Sequence, residues 1–221
     1  MSSPTIARVL AGALALVLQH RKRLSQALLP PFALSMLVVA LPTGSGFMGA
    51  LAMFMTLLIH TMYAVATHRI VLLGGDAVPT WGVTSWSNRE SRFTLAFVGL
   101  FLGVVACVAF LVGLLGQYAV VGALPMVFVF SSWSLIFPAI AVDEPTTLGG
   151  AWELADGFRL LMVMTVSIFP ILLVVPSLLL LASEIEILHI LAPLLEVIST
   201  VLTVTALSVA YGELRKVKGG A

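Results

Sequence analysis

The sequence predicts an all-α, polytopic membrane helix bundle, with six transmembrane helices threaded as three hairpins and accompanied by cytoplasmic interfacial helices. Three observations predict it. Of 221 residues, 60% are hydrophobic and only 10% charged, where a soluble domain carries roughly a quarter charged residues. Six apolar stretches approach the roughly 20 residues a spanning helix needs, since each residue rises ~1.5 Å through a core about 30 Å thick. The basic residues, finally, are segregated along the chain.

The elements follow in order. Residues 5–19 read as a helix lying in the cytoplasmic interface, because the run is short for a span and is interrupted by Arg8 and Gln19. A re-entrant or spanning seventh segment is the alternative. The cluster "HRKR" follows this apolar run instead of preceding it, so it does not read as a signal peptide and is expected to stay attached. The spans are expected at 24–41, 47–72, 93–115, 118–141, 160–182 and 187–211. Short breaks separate the members of each pair: "PTGSG" from Pro42 to Gly46, Gly116 with Gln117, and "SEIE" from Ser183 to Glu186. Tight hairpins follow. Residues 148–158 read as a second interfacial helix, with Leu148, Ala151, Trp152 and Ala155 at helical spacing and Glu153 and Asp156 on the other side. Pro125, Pro170, Pro176 and Pro193 fall inside spans and predict kinks. Gly99, Gly103, Ala106 and Ala109 give the third span a small-residue face for close helix packing.

Charge sets the orientation. Arg8, Arg21, Lys22, Arg23, Arg69, Arg89, Arg92, Arg159, Arg215, Lys216 and Lys218 are the 11 cations. All lie in the N-terminal segment, the second and fourth loops or the C-terminal tail, and none in the three hairpin turns. Basic residues near membrane ends are retained in the cytoplasm. The expectation is a multi-pass protein of the inner (plasma) membrane with both termini cytoplasmic.

"LAGALALVLQHR" (Leu10 to Arg21) and "LGGAWELADGFR" (Leu148 to Arg159) share residues at matching offsets, and "LGGDAVPTWG" (Leu73 to Gly82) is a looser third copy. Each precedes two spans. Two explanations stay open: triplication of a unit, or interface chemistry common to any hairpin entering from one side.

Enzyme signatures are not met. His20, His60, His68 and His189 form no H-E-x-x-H pair, and the chain holds no G-x-S-x-G turn and no P-loop. Cys107 stands alone, which excludes an internal disulfide and a cysteine metal cluster. No cofactor and no catalysis are expected. The cations are spread too thinly for nucleic acid and suit lipid phosphates instead. The expected partners are the lipid bilayer and other membrane proteins; the sequence carries no sign of oligomeric state.

"SLIFPAIAVDEPTTLGGAWELADGFR", Ser134 to Arg159, and "AYGELRK", Ala210 to Lys216, carry a resemblance. A span ends in Pro138, the acids Asp143 and Glu144 follow, and Ala151 with Trp152 sits in a short amphipathic helix before the next span. The pattern resembles bacterial six-span inner-membrane proteins, including the membrane domain attached to some glycerophosphodiester phosphodiesterases. The resemblance implies a six-span fold. The hydrolase of that family is a separate soluble barrel, so its activity is not implied here.

Polar residues inside the spans mark the candidate site. Thr56, His60, Tyr63 and Thr67 share one face of the second span, and Glu196, Ser199, Thr200 and Thr203 share one face of the sixth. Two polar faces in an oily chain are expected to turn inward. Glu196 lies about 14 Å into a core roughly 30 Å thick, and His60 about 20 Å, so an ionised Glu196 would be penalised by several kcal/mol unless protonated or partnered. The expected partner is His60 or the neighbouring hydroxyls. Two functions fit this sequence: a non-enzymatic accessory or scaffold protein of the membrane, or a small permease-like protein with a polar cavity around Glu196 and His60.

Overall fold

The computed structural model describes residues 4–39, 41, 46–82, 86–182 and 191–219. Among the described residues every regular element is helical: α1 (Ile6–Gln19), α2 (Arg21–Val39), α3 (Gly46–Leu73), α4 (Asn88–Leu115), α5 (Ala119–Trp133), α6 (Ile136–Ala141), α7 (Leu148–Leu154), α8 (Arg159–Val163), α9 (Phe169–Leu181) and α10 (Ala192–Val217). Five stretches among them are long and apolar enough to cross a membrane: Gly46–Leu73, Asn88–Tyr118, Val121–Ala141, Arg159–Leu180 and Pro193–Val217. The protein is thus all-helical and built for multiple membrane crossings. The turns at 42–45 and 183–186, and residues 187–190 at the start of the sixth predicted span, lie outside the described residues.

The first predicted span is not among the five. Its helix, α2, opens on Arg21, Lys22 and Arg23 and carries Pro30 and Pro31 inside it, which leaves too short an apolar run for a full crossing. The fourth predicted span is broken between α5 and α6. Ser132 Oγ donates to the Phe128 carbonyl at 2.7 Å and Ser134 Oγ to that of Ser131 at 2.6 Å, and such back-bonding hydroxyls compete with the helical ladder. The fifth opens as α8, widens into a π-turn at Met164–Ile168 and resumes as α9. Pro170 has no N–H for the Val166 carbonyl, and the wide turn is the accommodation.

The predicted interfacial segments are docked onto the bundle. Thr5 caps α1, whose Val9 and Ala13 are buried in one core with Ala206, Leu207 and Ala210 of α10. At 14 residues α1 reaches about 21 Å, short of a full crossing. The helix predicted at 148–158 stops at Leu154 and gives way to a turn through Gly157, whose φ is 80°. Its Ala151 and Ala155 enter the same core. Trp152, expected on the lipid-facing side with Ala151, is covered by the Arg159 guanidinium 3.9 Å from its ring centre. Between α3 and α4 the described residues of the corresponding segment hold a 3-10 turn, Gly75–Ala77. The three sequence units therefore differ in form.

That segment is pinned to the start of α2. Arg23 donates to the Gly75 carbonyl at 3.0 Å, to Thr80 Oγ1 at 3.0 Å and to Asp76 Oδ1 at 3.2 Å. Gly82, with φ 84°, sits so close that a Cβ there would lie 2.2 Å from the Ala27 carbonyl oxygen. Pro31 cannot donate to that oxygen, so α2 leaves a carbonyl open where Gly82 arrives.

Packing is uneven along the bundle. α2 packs on α3, α4 on α5, and α9 and α3 on α10. Buried side chains gather where the cations gather, which we call the basic end: Ile59 to Ile70 on α3, Phe93 on α4, Leu135 to Ala141 around α6, and Val201 to Leu214 on α10. The far halves of α3, α4 and α9 expose Phe47, Phe110, Leu114, Leu172 and Leu179.

Candidate functional site

Two polar assemblies are built on this frame. The first lies along the seam between α3 and α10. His60 Nε2 stands 3.4 Å from Glu196 Oε1, and further along His68 Nδ1 lies 2.7 Å from Ser208 Oγ. The contacts advance together on both helices, so α3 and α10 run in the same direction.

The proton inventory at His60 is informative. A carbonyl can only accept, so the 2.9 Å contact from Nδ1 to the Thr56 carbonyl commits the Nδ1 proton to the backbone. Nε2 facing a carboxylate then requires one further proton, carried by the imidazole or by Glu196. One exchangeable proton belongs to the pair. Glu196 does not face the bundle interior as expected: its side chain is 59% exposed and that of His60 is 39% exposed. Glu196 lies on the outer face of the first turns of α10 with Leu194 and Ile198, which are also exposed, while Val197 on the other face packs against the core with Ile59 and Tyr63.

The remaining predicted residues separate. Tyr63 and Thr67 are buried on α3, and the Tyr63 ring meets that of His60 edge-on at 6.2 Å. Ser199 turns to α9, donating to the Leu173 carbonyl at 3.0 Å. Thr200 and Thr203 are half-buried, and Thr56, which is exposed, contributes its carbonyl. Deeper in, the hydroxyls of Thr67, Thr165 and Thr205 are fully buried and have no hydrogen-bond partner. Unsatisfied buried hydroxyls are uncommon, and the usual company of such groups is water.

The second assembly sits at the basic end, around the loop after α6. Asp143, in the left-handed region at φ 61°, accepts from Arg89 Nε at 2.9 Å and from Arg69 Nη1 at 3.1 Å. Arg69 also donates to the carbonyls of Ala141 at 2.9 Å and Ala77 at 3.2 Å. The hydrogen bonds from Arg89, with Arg69 beside it, hold the Asp143 carboxyl below its ordinary range. Glu144 turns the opposite way, accepting from Tyr211 Oη and Arg215 Nη1 on α10. Adjacent acids thus tie α3 and α4 on one side and α10 on the other.

Sequence reasoning placed Asp143 and Glu144 only inside a recurrent pattern. The available signal was charge complementarity: two acids close one span at the end where Arg69, Arg89 and Arg215 close others. The capping box of α4 was also legible as S-x-x-E, Ser87 to Glu90; Glu90, almost fully buried, accepts from the Ser87 amide at 2.8 Å and from its hydroxyl. Among the described residues no three His, Cys, Asp or Glu side chains converge as a metal site requires.

Fold and site together define a class, a multi-pass helical protein with an acid–base pair between two candidate spans and an ionic clamp at one end. Comparison with known proteins narrows it no further: no protein family, no curated protein and no solved structure matches the chain.

Proposed function

We propose that this is a bacterial inner-membrane protein of six spans, threaded as three hairpins with both termini cytoplasmic, and that it works as a small permease-like protein. In this reading α2 is the first of the six spans, and the basic end faces the cytoplasm. The resemblance of Ser134 to Arg159 to six-span membrane domains supports the threading. The cargo is a proton, alone or with a small polar solute, and its route is the α3–α10 seam.

The observation that carries the reading is the His60–Glu196 pair, which stands at the head of buried hydroxyls that the protein leaves unpartnered. A purely structural seam has no use for Thr67, Thr165 and Thr205 in that state, since valine would fill the same space without a hydroxyl to satisfy. The test is flux. Purified protein in liposomes loaded with a pH-sensitive dye should carry protons under an imposed potential, and Glu196→Gln should abolish the flux while unfolding at the wild-type midpoint. Flux no greater than that of empty liposomes, or unchanged in the variant, would overturn the proposal.

An accessory or scaffold role is the second reading. It is favoured by Trp81 and Trp86, both exposed in the α3–α4 connection at the basic end. Aromatic side chains there offer a contact surface to another membrane protein. Under this reading Glu196→Gln would leave function intact.

A further inference from the structure

A cavity of about 690 Å³ opens at the basic end between the start of α4, the loop after α6, α7 and the end of α10. Its rim carries three cations, Arg92, Arg215 and Lys218, against one carboxylate, Glu144. That carboxylate is already committed to Tyr211 and Arg215. Arg92 and Lys218 are exposed, and among the described residues neither has an ion-pair partner. Two positive charges are therefore left over at the mouth of one cavity. The apolar side chains on the wall that are open to the cavity are Pro145, exposed, and Leu154, half-buried.

We propose that this cavity binds a phosphate-bearing anion, its phosphate held between Arg92 and Lys218 and the remainder of the molecule lying against Leu154 and Pro145. Two features support phosphate over a carboxylate. The unneutralised charge is two, matching the charge of a monoester, and the hydroxyl of Thr147, also on the lining, accepts from the Gly150 amide and keeps its own proton as a donor that a third phosphate oxygen accepts. Guanidinium and ammonium groups are the usual phosphate partners, the first by its fork and the second as a point charge. The position is also apt. The cavity lies where α4, α6 and α10 end, level with a headgroup layer if those helices cross a bilayer. The ligand is then either an anionic phospholipid headgroup or a soluble phosphate. The inference does not rest on transport along the seam, because no seam residue lines this cavity.

The experiment uses the full chain in phosphatidylcholine nanodiscs, titrated calorimetrically with inorganic phosphate and, separately, with dihexanoyl phosphatidic acid, a lipid monoester. Wild-type protein should bind at least one probe. The double variant Arg92→Ala, Lys218→Ala should bind it roughly 30-fold more weakly, at about fivefold per cation removed, and Lys22→Ala, a cation elsewhere on the basic end, should bind as wild type. Binding of the lipid alone assigns a headgroup site; binding of phosphate with the same sensitivity to the double variant assigns a soluble ligand. Should the double variant melt early, Arg92→Gln, Lys218→Gln serves the same comparison. Absence of binding by either probe, wild-type affinity in the double variant, or an equal loss in Lys22→Ala overturns the proposal.

Discussion

Replacement of Asp143 separates charge from backbone geometry in the clamp. The carboxylate accepts from two arginines, at 2.9 Å and 3.1 Å. A hydrogen bond to a charged group is worth about 1.5–3 kcal/mol when buried, but the Asp143 side chain is 53% exposed, and screening reduces each pair to about 1 kcal/mol or less. Asp143→Asn keeps the shape and tolerates the left-handed conformation, so it should lose about 1–2 kcal/mol, all of it charge. Asp143→Gly loses the side chain and keeps the conformation. Asp143→Ala loses the side chain and adds left-handed strain of about 1–2 kcal/mol, partly offset by its stiffer unfolded chain; it should be the least stable of the three. The assay is urea unfolding in detergent micelles followed by tryptophan fluorescence. Acidity adds a second reading. A carboxyl whose folded pKa is depressed contributes stability that is present above its ordinary value of 3.8 and lost as pH falls through the lower folded value. Wild type should lose this increment below about pH 4 and Asp143→Asn should not. An Asn variant as stable as wild type at neutral pH, with the same acid profile, would refute the clamp; an Ala variant more stable than Gly would refute the strain.

Gly82→Ala should cost about 2 kcal/mol or more, because φ 84° disfavours any side chain and the new Cβ would stand 2.2 Å from the Ala27 oxygen; a midpoint within experimental error of wild type would remove Gly82 from the argument. Single cysteines placed at Arg89 and at Val217, in an otherwise cysteine-free Cys107→Ala background, should be shielded from impermeant maleimide in intact cells and react after permeabilisation; labelling of either from outside would invert the proposed threading. Ser87→Ala should lower stability by about 1 kcal/mol, since it removes the cap of α4 and one partner of the buried Glu90 carboxylate, and Ser87→Thr should restore it; an unchanged Ala variant would show that the cap is idle.

Much of the architecture was readable because hydropathy and charge are properties of whole segments. Long apolar runs with cations at one set of ends admit few arrangements, and α3, α4 and α10 fall close to their predicted ranges. The meeting of His60 with Glu196 was readable for a related reason: ionisable groups deep in apolar helices are few, and counting residues puts two of them at similar depth. The breaks between α5 and α6 and within the fifth predicted span were not. Hydropathy scores Ser132 and Ser134 as mildly polar positions and is blind to hydroxyls bonding their own backbone. The clamp was hidden by distance along the chain, since Arg69 and Asp143 are ordinary surface residues until α6 brings the loop across. The exposure of Glu196 also lay beyond counting, because depth along a helix says nothing of how closely its neighbours approach.

Asp143 and Glu144 are consecutive in the chain, yet they hold different helices, α3 and α4 for the first and α10 for the second. Mechanically this makes their loop a pivot. The clamp fastens these helices at the basic end, so a relative motion of α3 and α10 that kept it intact would be a swing about that point. For a lever of about 30 Å, the thickness of a hydrocarbon core, a swing of about 10° moves the free tips apart by roughly 5 Å while the clamp itself barely shifts. That is wider than a water molecule. The His60–Glu196 contact lies out on the moving arm, where a rotation too small to disturb a single bond at the pivot is enough to part the two side chains and admit solvent between them.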